Sequence, residues 1–317
     1  MFESRLKGEI DFLKWRRATG LISTVLLVVS IASLAVRGLV FGIDFTGGTL
    51  VEVGYSQAVD LEPVRASLDE AGFEGAVVQH FGTAKDVLVR IAPKEDVEQS
   101  QLSDRILDAL RAGDLEVEMR RVEFVGPQVG EELTEQGGLA MLIALAAIFI
   151  YVMFRFEWKF SAGAVAALFH DVIITLGFFS LLGLEFDLTV LAAVLAVIGY
   201  SLNDTIVVFD RIRENFRRMR RGTSRTIINT SLNQTLARTL MTSLTTLLVL
   251  IALFFLGGEL IHGFATALIV GVLIGTYSSI YVASMIALRL GVQKADLMPV
   301  AKEGANADVD TLRDSGF

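Results

Sequence analysis

Two charged residues stand in or beside stretches of the sequence that are otherwise apolar. Asp204 lies within Ile198–Phe209, and Arg238 directly precedes the apolar stretch that begins at Thr239. A charged side chain in the interior of a membrane costs about 2.5–3.5 kcal/mol on insertion scales, so a charge kept there indicates a partner or a function. These two residues are therefore the first candidates for chemistry in this chain.

Asp204 and Arg238 allow two interpretations. If their helices are adjacent and antiparallel, the two residues lie at similar depth, and an ion pair would neutralise both charges and join the helices. Alternatively, Asp204 binds and releases an ion, because burial disfavours the carboxylate while a nearby Arg favours it. Buried acids in membranes commonly serve proton relays, which favours the second interpretation. The polar residues around Asp204 suit either role, and they are Tyr200, Ser201, Asn203 and Thr205.

A third ionisable group, Asp171, follows His170 within another apolar stretch. Consecutive residues of a helix point to different faces, so this pair is a poor metal site. Either Asp171 forms hydrogen bonds across a helix interface, or it takes a direct part in proton transfer. Together with Asp204 it also raises the hypothesis of an intramembrane aspartyl protease. Against that hypothesis, a Gly-x-Gly-Asp motif is absent, and Arg238 would keep Asp204 ionised although such a dyad must share a proton.

The composition requires a membrane environment. Of the 317 residues 53% are hydrophobic, the mean hydropathy is +0.57, and several apolar runs reach the roughly 18–20 residues that span a bilayer. The absence of cysteine and the presence of only three histidines argue against a metal site, and we predict no cofactor. The fold class is a polytopic α-helical membrane protein with six spans, at Ala18–Val36, Gly137–Phe154, Phe160–Leu184, Leu188–Phe209, Thr239–Leu256 and Phe264–Leu288.

The short segments between these spans alternate between basic and free of Lys and Arg. The short loops 184–187 and 257–262 contain no Lys or Arg, whereas Lys and Arg occur before the first span and directly after the second, fourth and sixth spans. The positive-inside rule then places both termini in the cytoplasm and 37–136 outside it, and we predict a multi-pass protein of the cytoplasmic (inner) membrane. We interpret 18–36 as a retained helix, since its 19 residues exceed a signal-peptide core of about 7–15. The predicted cytoplasmic segments are 1–17, 210–238 and 289–317.

Two of these cytoplasmic segments have distinct compositions. Seven arginines lie between Arg211 and Arg225. They form either a solvated segment near anionic lipid headgroups, which is the simpler interpretation, or a docking site for a partner. The tail from Pro299 onward is polar and is predicted to be disordered.

The segment 37–136 is predicted to form one α+β domain. It contains nine basic and twenty acidic residues, a net charge of −11. Its strand-like and helical patterns follow the order βαββαβ, which is the ferredoxin-like arrangement. The predicted elements are strand Thr49–Tyr55, helix Leu61–Ala71 behind the N-cap Asp60, strands Ala76–Gly82 and Asp86–Ala92 joined by a turn at Gly82–Lys85, helix Val97–Leu110 and strand Glu116–Val125.

Two of the predicted spans carry small or hydroxyl residues. Gly271 and Gly275, followed by Ser278, give the sixth span a small-residue face for close helix contact. The hydroxyls of the fifth span either join helices or line an ion path, and they belong to Thr239, Thr242, Ser243, Thr245 and Thr246.

Several blocks of the sequence are together similar to the SecD/SecF family of export proteins. The blocks are Gly42–Leu50 (GIDFTGGTL), Val125–Leu133 (VGPQVGEEL), His170–Val172, Gly199–Asn215 and Ser231–Leu240. They run in the order of the family from the first span to the last, which makes the resemblance more specific than any single motif.

The resemblance implies a function in protein export. The length and the single external domain are similar to the smaller subunit of the family, which pairs with SecD in a twelve-helix unit related to the RND transporters. The implied partners are SecD, the SecYEG channel, translocating preproteins and the lipid membrane, with no nucleic acid. The implied energy source is a gradient of H⁺ or Na⁺, coupled through Asp204 and Arg238, and the chain is expected not to be an enzyme. A small-molecule RND exporter is the alternative, which six spans and one external domain argue against.

The glycine-rich block after the first span is interpreted as a linkage to the external domain. Gly42, Gly47 and Gly48 permit backbone angles that other residues avoid, and Asp44 can cap the turn between them. The block lacks the Lys-Ser/Thr ending of a phosphate-binding P-loop.

Overall fold

The computed structural model describes residues 9–93, 99–111, 116–219 and 221–297. Short 3₁₀ turns lie at Phe12–Trp15, Glu259–Ile261 and Lys294–Leu297, and a π-helical segment at Ser279–Ala283 joins the last two helices. The helices and strands are, in chain order, α1 (Arg16–Val36), β1 (Val40–Phe41), α2 (Ile43–Thr46), β2 (Gly48–Tyr55), α3 (Leu61–Glu70), β3 (Val77–Phe81), β4 (Thr83–Ile91), α4 (Gln99–Arg111), β5 (Val117–Val125), α5 (Pro127–Arg155), α6 (Trp158–Leu182), β6 (Glu185–Phe186), α7 (Leu188–Arg218), α8 (Ser224–Leu256), α9 (His262–Ser278) and α10 (Ser284–Arg289).

Six helical units within the described ranges are long and apolar enough to cross a membrane. They are α1, α5, α6, α7, α8 and the continuous unit from α9 to α10. Five predicted spans lie inside these units, but the prediction of Phe160–Leu184 extends two residues too far. Helix α6 ends at Leu182 because Gly183 adopts the left-handed conformation (φ 65°) that commonly terminates helices.

Helices α6, α7 and α9 form the centre of the bundle, and α1, α5 and α8 surround them. The central units bury 56%, 56% and 50% of their most apolar stretch, whereas α1, α5 and α8 bury 22%, 11% and 17%. The outer helices therefore expose apolar side chains such as Leu142 and Val249, which in a membrane contact lipid or the helices of a partner.

Glycines allow α7 and α9 to pack at close range. A methyl group added at Gly271 would lie 2.1 Å from Cγ2 of Val197, and one added at Gly275 would lie 3.0 Å from Cβ of Ser201. The neighbouring helix thus occupies the space of a side chain at both positions. The small-residue contact predicted from the spacing of Gly271 and Gly275 is confirmed.

Strands β2 to β5 form a four-stranded sheet that α3 and α4 cover on one face. The strands lie in the order β3–β4–β2–β5, and all neighbouring pairs are antiparallel. The chain order β2-α3-β3-β4-α4-β5 is the βαββαβ order expected from the sequence. Helix α3 begins at Leu61 because the side chain of Asp60 accepts a hydrogen bond from the backbone N–H of Glu62, as the N-cap prediction requires.

The two faces of this sheet have different neighbours because side chains alternate along a strand. Val51 and Val53 of β2 pack with Leu68 of α3 and Ile106 of α4 in the core of the unit. Leu50, on the opposite face, packs with Leu88 and Ile43 in a separate cluster.

This second face of the sheet looks across a cleft toward the membrane helices. The cleft has a volume of about 760 Å³, and it is lined by Leu50 and Glu52 of the sheet and by Phe178 of α6 and Phe254 of α8. The sheet is therefore placed over the ends of α6, α8 and α9, and it does not pack tightly against them.

The hairpin between β3 and β4 differs from the prediction. Strand β4 begins at Thr83 and pairs back with Phe81, so the predicted four-residue turn at Gly82–Lys85 is wrong. Gly82, with φ 74°, reverses the chain at one residue, and the register shifts between His80 and Phe81 to accommodate this tight reversal.

The basic segment 210–238 is helical over most of its described length. Helix α7 continues to Arg218, and α8 already begins at Ser224 behind the N-cap Thr223. Glu214 pairs with Arg211 and Arg218 at 2.9 Å, which supports the helix past its apolar part. The predicted polar tail from Pro299, and the start of the helix predicted at Val97–Leu110, lie outside the described residues.

Candidate functional site

Asp204 lies in the middle of α7, and its side chain is 3% exposed. Its Oδ2 atom is buried and has no hydrogen-bond partner. Its electrostatic neighbours are Ser243 and Arg238 of α8, the helix that packs beside α7. A buried carboxylate oxygen without a donor is costly to keep ionised, so the position is suited to a proton or to another cation.

Arg238 lies on α8 but does not pair with Asp204. No nitrogen–oxygen distance of 4.0 Å or less joins the two side chains, so the predicted ion pair is absent from this conformation. Arg238 is exposed and lines a cleft of about 320 Å³ between α7 and α8, together with Asp210 and Gln234. On α7 the lining of this cleft runs from Glu214 to Val207 and does not include Asp204.

The polar residues predicted to support Asp204 do not all lie next to its carboxylate. Tyr200 donates to Ser243 Oγ at 3.5 Å, and Ser243 also bonds Thr276 of α9 at 2.7 Å. Thr205 is buried, whereas Asn203 is exposed on the outer side of α7 and does not face Asp204. Residues 200–205 span more than one helical turn, so they cannot all surround one carboxylate.

Asp171 is the most densely hydrogen-bonded acid of the bundle. Its Oδ2 accepts hydrogen bonds from Ser201 of α7 at 2.5 Å and from Ser278 of α9 at 2.6 Å, and its Oδ1 lies 2.8 Å from Nδ1 of His170. The expectation that His170 and Asp171 point apart is wrong, because both side chains bend into the same buried contact. The sequence places Ser278 only on the small-residue face of the sixth span, and it gives no signal that the Ser278 hydroxyl reaches Asp171 of α6.

Asp210 lies at the polar end of α7 and is held by arginines. Arg155 of α5 pairs with it at 2.7 Å, and Arg213 lies 3.7 Å away. Arg213 in turn pairs with Glu157 at 3.1 Å. Asp210 is therefore a member of a structural ion-pair group, in contrast to Asp204.

The glycine-rich block forms a joint between the sheet and the helices. Gly47 and Gly48 have φ of 66° and 122°, as predicted, and a methyl group at Gly48 would lie 2.4 Å from the carbonyl oxygen of Ile91. The block also touches the start of α5, since a methyl group at Gly130 would lie 2.7 Å from the backbone nitrogen of Gly47. The backbone is thus fixed between β2, β4 and α5.

Gly42 and Asp44 act differently from the prediction. Gly42 has φ −69°, so it is not needed for an unusual backbone angle; instead a methyl group there would lie 3.0 Å from Oε1 of Glu185 and 3.1 Å from Cβ of Asp187. Asp44 does not cap its own turn, because its Oδ2 accepts from the backbone N–H of Leu188 at 3.0 Å. Both residues therefore join the chain after α1 to the start of α7.

Glu185 is the centre of this joint, which we call the α7 joint and define by Gly42, Asp44, Gln79, Arg90 and Glu185. Strand β6 pairs in parallel with β1, so that Glu185 aligns with Val40. Arg90 of β4 lies 3.5 Å from Glu185 and donates to the carbonyl oxygen of Phe41, and Gln79 of β3 donates to Glu185 at 3.5 Å. Glu185 has no signal in the sequence that marks this role, because its partners Gln79 and Arg90 lie about 100 residues away.

The α7 joint is expected to tighten as the pH falls. Burial raises the pKa of the Glu185 carboxyl above its ordinary value of 4.5, and this outweighs the lowering by Arg90. We call the joint closed when Glu185 contacts Arg90 and Gln79, as it does in this structure. Because the pKa of Glu185 is raised in the closed joint, its contribution to the stability of the closed joint is complete below pH 4.5, the ordinary pKa, and is lost as the pH rises through the raised pKa. Spin labels at Ser56→Cys and Leu182→Cys, in this cysteine-free chain, should report a narrower distance distribution at acidic pH.

Glu185→Gln is expected to remove this pH dependence and to keep the joint closed at neutral pH. The reason is that an amide does not ionise, so no carboxylate has to be buried when the joint is closed. Glu62→Gln is the matched control, since Glu62 is exposed and its ion-pair partner within the described part of the chain is Arg65 of the same helix. A distance distribution that changes with pH equally in Glu185→Gln and in the unmodified chain would show that Glu185 does not set the response.

The bundle, the sheet above it and the buried acids define a class of protein: a polytopic membrane protein whose small α+β unit is linked to the ionisable core of its helices. The family model described as "Protein export membrane protein SecD/SecF, C-terminal" matches residues 105–293, and the model "SecD/SecF GG Motif" matches residues 32–59.

Two relatives and one solved structure give the extent of the similarity. The protein translocase subunit SecF of Vibrio alginolyticus is 57% identical over 308 residues, covering 96% of this chain and 98% of that protein. That of Pseudomonas aeruginosa is 52% identical over 294 residues, covering 92% and 95%. The crystal structure of SecDF, a translocon-associated membrane protein from Thermus thermophilus, superposes with a TM-score of 0.82 at 40% identity, covering 90% of this chain.

The chain belongs to the SecD/SecF family of protein export membrane proteins. It is a multi-pass protein of the inner membrane. It spans 39% of the length of the Thermus SecDF chain, so it corresponds to part of that longer polypeptide.

Proposed function

We propose that this chain is the SecF subunit of a SecDF complex, and that it uses an ion gradient to assist protein translocation through SecYEG. The observation that carries the proposal is the 57% identity over nearly the whole length to a protein named as a SecF translocase subunit. Its match to 39% of SecDF supports SecD as the partner that supplies the rest of that unit. The apolar surfaces of α1, α5 and α8 support a larger, RND-type bundle.

The proposed orientation has both termini in the cytoplasm. The distribution of Lys and Arg between the helices supports it, since Arg155, Arg211 and Arg289 follow alternate spans. The βαββαβ unit is then a ferredoxin-like domain on the extracytoplasmic side, where it meets the preprotein as the chain emerges. The sheet order β3–β4–β2–β5 supports the ferredoxin-like assignment.

Asp204 and Arg238 are the proposed coupling residues, with H⁺ or Na⁺ as the transported ion. The unpartnered Oδ2 of Asp204 supports this role, as does the position of Arg238 on the adjacent helix, where no acid among the described residues forms an ion pair with it. Loading of Asp204 changes its attraction to Arg238, which shifts α7 against α8. Helix α7 begins at the α7 joint, so its movement reaches the external domain. Each charge supplies about 2.3 kcal/mol per 100 mV.

The chain is proposed not to be an enzyme. A protease dyad of Asp171 and Asp204 would need two carboxylates that share a proton. Asp171 instead engages Ser201, Ser278 and His170 with both of its oxygens, which argues against such a dyad.

The experiment that tests the proposal is a pulse-chase of a secreted precursor in bacteria depleted of their own SecF. Expression of this chain together with SecD should restore the rate of precursor processing, and a protonophore or sodium ionophore should remove the gain. Processing that stays at the depleted rate, although the chain accumulates and co-purifies with SecD, would contradict the proposal. A small-molecule exporter would instead change drug sensitivity and leave processing unchanged.

A further inference from the structure

The His170–Asp171 pair is a second ionisable centre that the proposed function does not use. His170 lies in the middle of α6 and is 3% exposed, and its ring stacks near Tyr277 with the ring centroids 6.2 Å apart. Nδ1 of His170 faces Oδ1 of Asp171, while Nε2 is buried and has no hydrogen-bond partner. One nitrogen of the imidazole, Nδ1, is therefore hydrogen-bonded, and the other, Nε2, has no partner.

The hydrogen bonds assign the state of the pair. Oδ2 of Asp171 already accepts from the hydroxyls of Ser201 and Ser278, which suits an ionised, acceptor-only carboxylate. Nδ1 of His170 then carries the proton and donates it to Oδ1. In a neutral imidazole the other nitrogen, Nε2, is left as a lone-pair acceptor.

We propose that Nε2 of His170 is a second proton-binding site of the bundle, with Asp171 as its counter-ion. The step is the transfer of one H⁺ from water to the lone pair of Nε2, which gives an imidazolium held by the adjacent carboxylate. A carboxylate bonded to Nδ1–H fixes the tautomer and stabilises the imidazolium, as in other Asp–His pairs. The proposal rests on the proposed function only for its use in transport.

The surroundings of His170 contain few other charges. Among the described residues, α9 and the π-helical segment contribute the phenols of Tyr277 and Tyr281. From α1, the hydroxyl of Ser23 bonds the hydroxyl of Tyr277, which itself donates to the backbone carbonyl oxygen of Thr19. From α7 comes Ser201, while Asp204 has its electrostatic neighbours on α8. The middle of α5 has no titratable residue, and α10 has only Arg289, at its end. Asp171 is therefore the counter-charge of an imidazolium here.

The second centre is joined to Asp204 by two helices. Ser201 donates to Asp171 and lies one turn before Asp204 on α7. On α9, Ser278 donates to Asp171, while Thr276 bonds Ser243 beside Asp204. The π-helical segment starts directly after Ser278, and such segments are frequent at functional sites. A proton on His170 therefore changes the hydrogen bonds that Asp171 accepts from Ser201 of α7 and Ser278 of α9, and these two residues lie on the helical turns next to Asp204 and its neighbour Ser243.

The first test measures the protonation of His170 directly. The chain contains only His80, His170 and His262, so a chain with His80→Asn and His262→Asn has one imidazole. The full chain, labelled with ¹⁵N-histidine, is combined with unlabelled SecD in lipid nanodiscs. We expect a ring whose neutral form is protonated at Nδ1 and which gains a second proton, at Nε2, as the sample is titrated to acidic pH. A ring that stays neutral throughout, or whose neutral form carries its proton on Nε2, overturns the proposal.

The second test measures the use of this site in export. His170→Asn places an amide N–H where Nδ1–H was and removes Nε2, so it keeps the bond to Asp171 without a proton site. Processing of a secreted precursor should slow about tenfold, equivalent to about 1.4 kcal/mol, and lose its dependence on external pH. His80→Asn and His262→Asn should have no effect. An unchanged rate and pH profile in His170→Asn overturns the role in transport, and the spectroscopic test stands even if the chain has no export function.

Discussion

Replacing Asp204 with Asn is expected to slow processing of a secreted precursor to the rate of cells that lack this chain. Asn keeps the size and hydrogen bonding of Asp but cannot bind and release a proton. If one proton crosses the membrane per step, the lost driving force is about 2.3 kcal/mol per 100 mV, which corresponds to a slowing of up to about 40-fold. Pulse-chase labelling, with immunoblots of this chain and of co-purified SecD, measures the effect apart from any loss of protein.

Asp210→Asn is the matched control for this substitution. Asp210 lies on the same helix, six residues further, but it is about half-exposed and pairs with Arg155 at 2.7 Å. Its loss should remove the ion pairs with Arg155 and Arg213, worth about 0–1 kcal/mol each for pairs near the surface, and leave export near the normal rate. If Asp204→Asn exports normally, with the gradient intact or collapsed, Asp204 is not the ion carrier.

Arg238→Ala separates the two interpretations of Asp204. If Arg238 attracts the ionised carboxylate during the cycle, its loss should slow export in the same direction as Asp204→Asn. An intramembrane protease would not need it. Because Arg238 is exposed on α8 and forms no ion pair with Asp204 in this conformation, its removal should leave the bundle folded.

The helices could be predicted from the sequence because their signal is local. Three helix limits coincide with predicted ones, because they fall at the ends of apolar runs: the end of α1 at Val36, the start of α7 at Leu188 and the end of α8 at Leu256. The polar parts of α7 after Phe209 and of α8 before Thr239 lie outside the predicted spans, because they lack an apolar run. The βαββαβ order is equally local, since each strand alternates and each helix has its own periodicity. The hairpin at Gly82 could not be read correctly, because its tight reversal depends on a register shift between two strands.

The contacts of the site could be predicted only in part, because they join residues distant in the sequence. Depth along antiparallel helices correctly brought Asp204 and Arg238 to neighbouring helices, but it did not give the directions of the side chains. Asp171 and Ser278 are 107 positions apart, and no pattern in either segment indicates their bond. The contact of Glu185 could not be predicted for the same reason, since its partner Arg90 lies on the four-stranded sheet, far from Glu185 in the sequence.

Gly271→Ala is expected to destabilise the bundle more than its single added methyl group suggests. That methyl would lie 2.1 Å and 2.6 Å from the two methyl carbons of Val197 and 2.9 Å from its Cβ, so rotation of the Val side chain cannot clear it. Overpacking of this kind typically costs about 1–3 kcal/mol. Separation of α7 from α9 would also stretch the bond from Ser201 to Asp171, so thermal stability in nanodiscs and export should both fall.

Gly199→Ala and the double variant Gly271→Ala/Val197→Ala distinguish this steric cause from a general intolerance of alanine. Gly199 lies on α7, as Val197 does, and a methyl group there would meet nothing within 4 Å. The melting temperature of the Gly199→Ala variant should therefore stay unchanged or rise slightly through better helix propensity. Val197→Ala removes the atoms that Gly271→Ala strikes, so the double variant should be more stable than Gly271→Ala alone. If Val197→Ala fails to restore stability, the close approach of α7 and α9 is not what requires glycine at position 271.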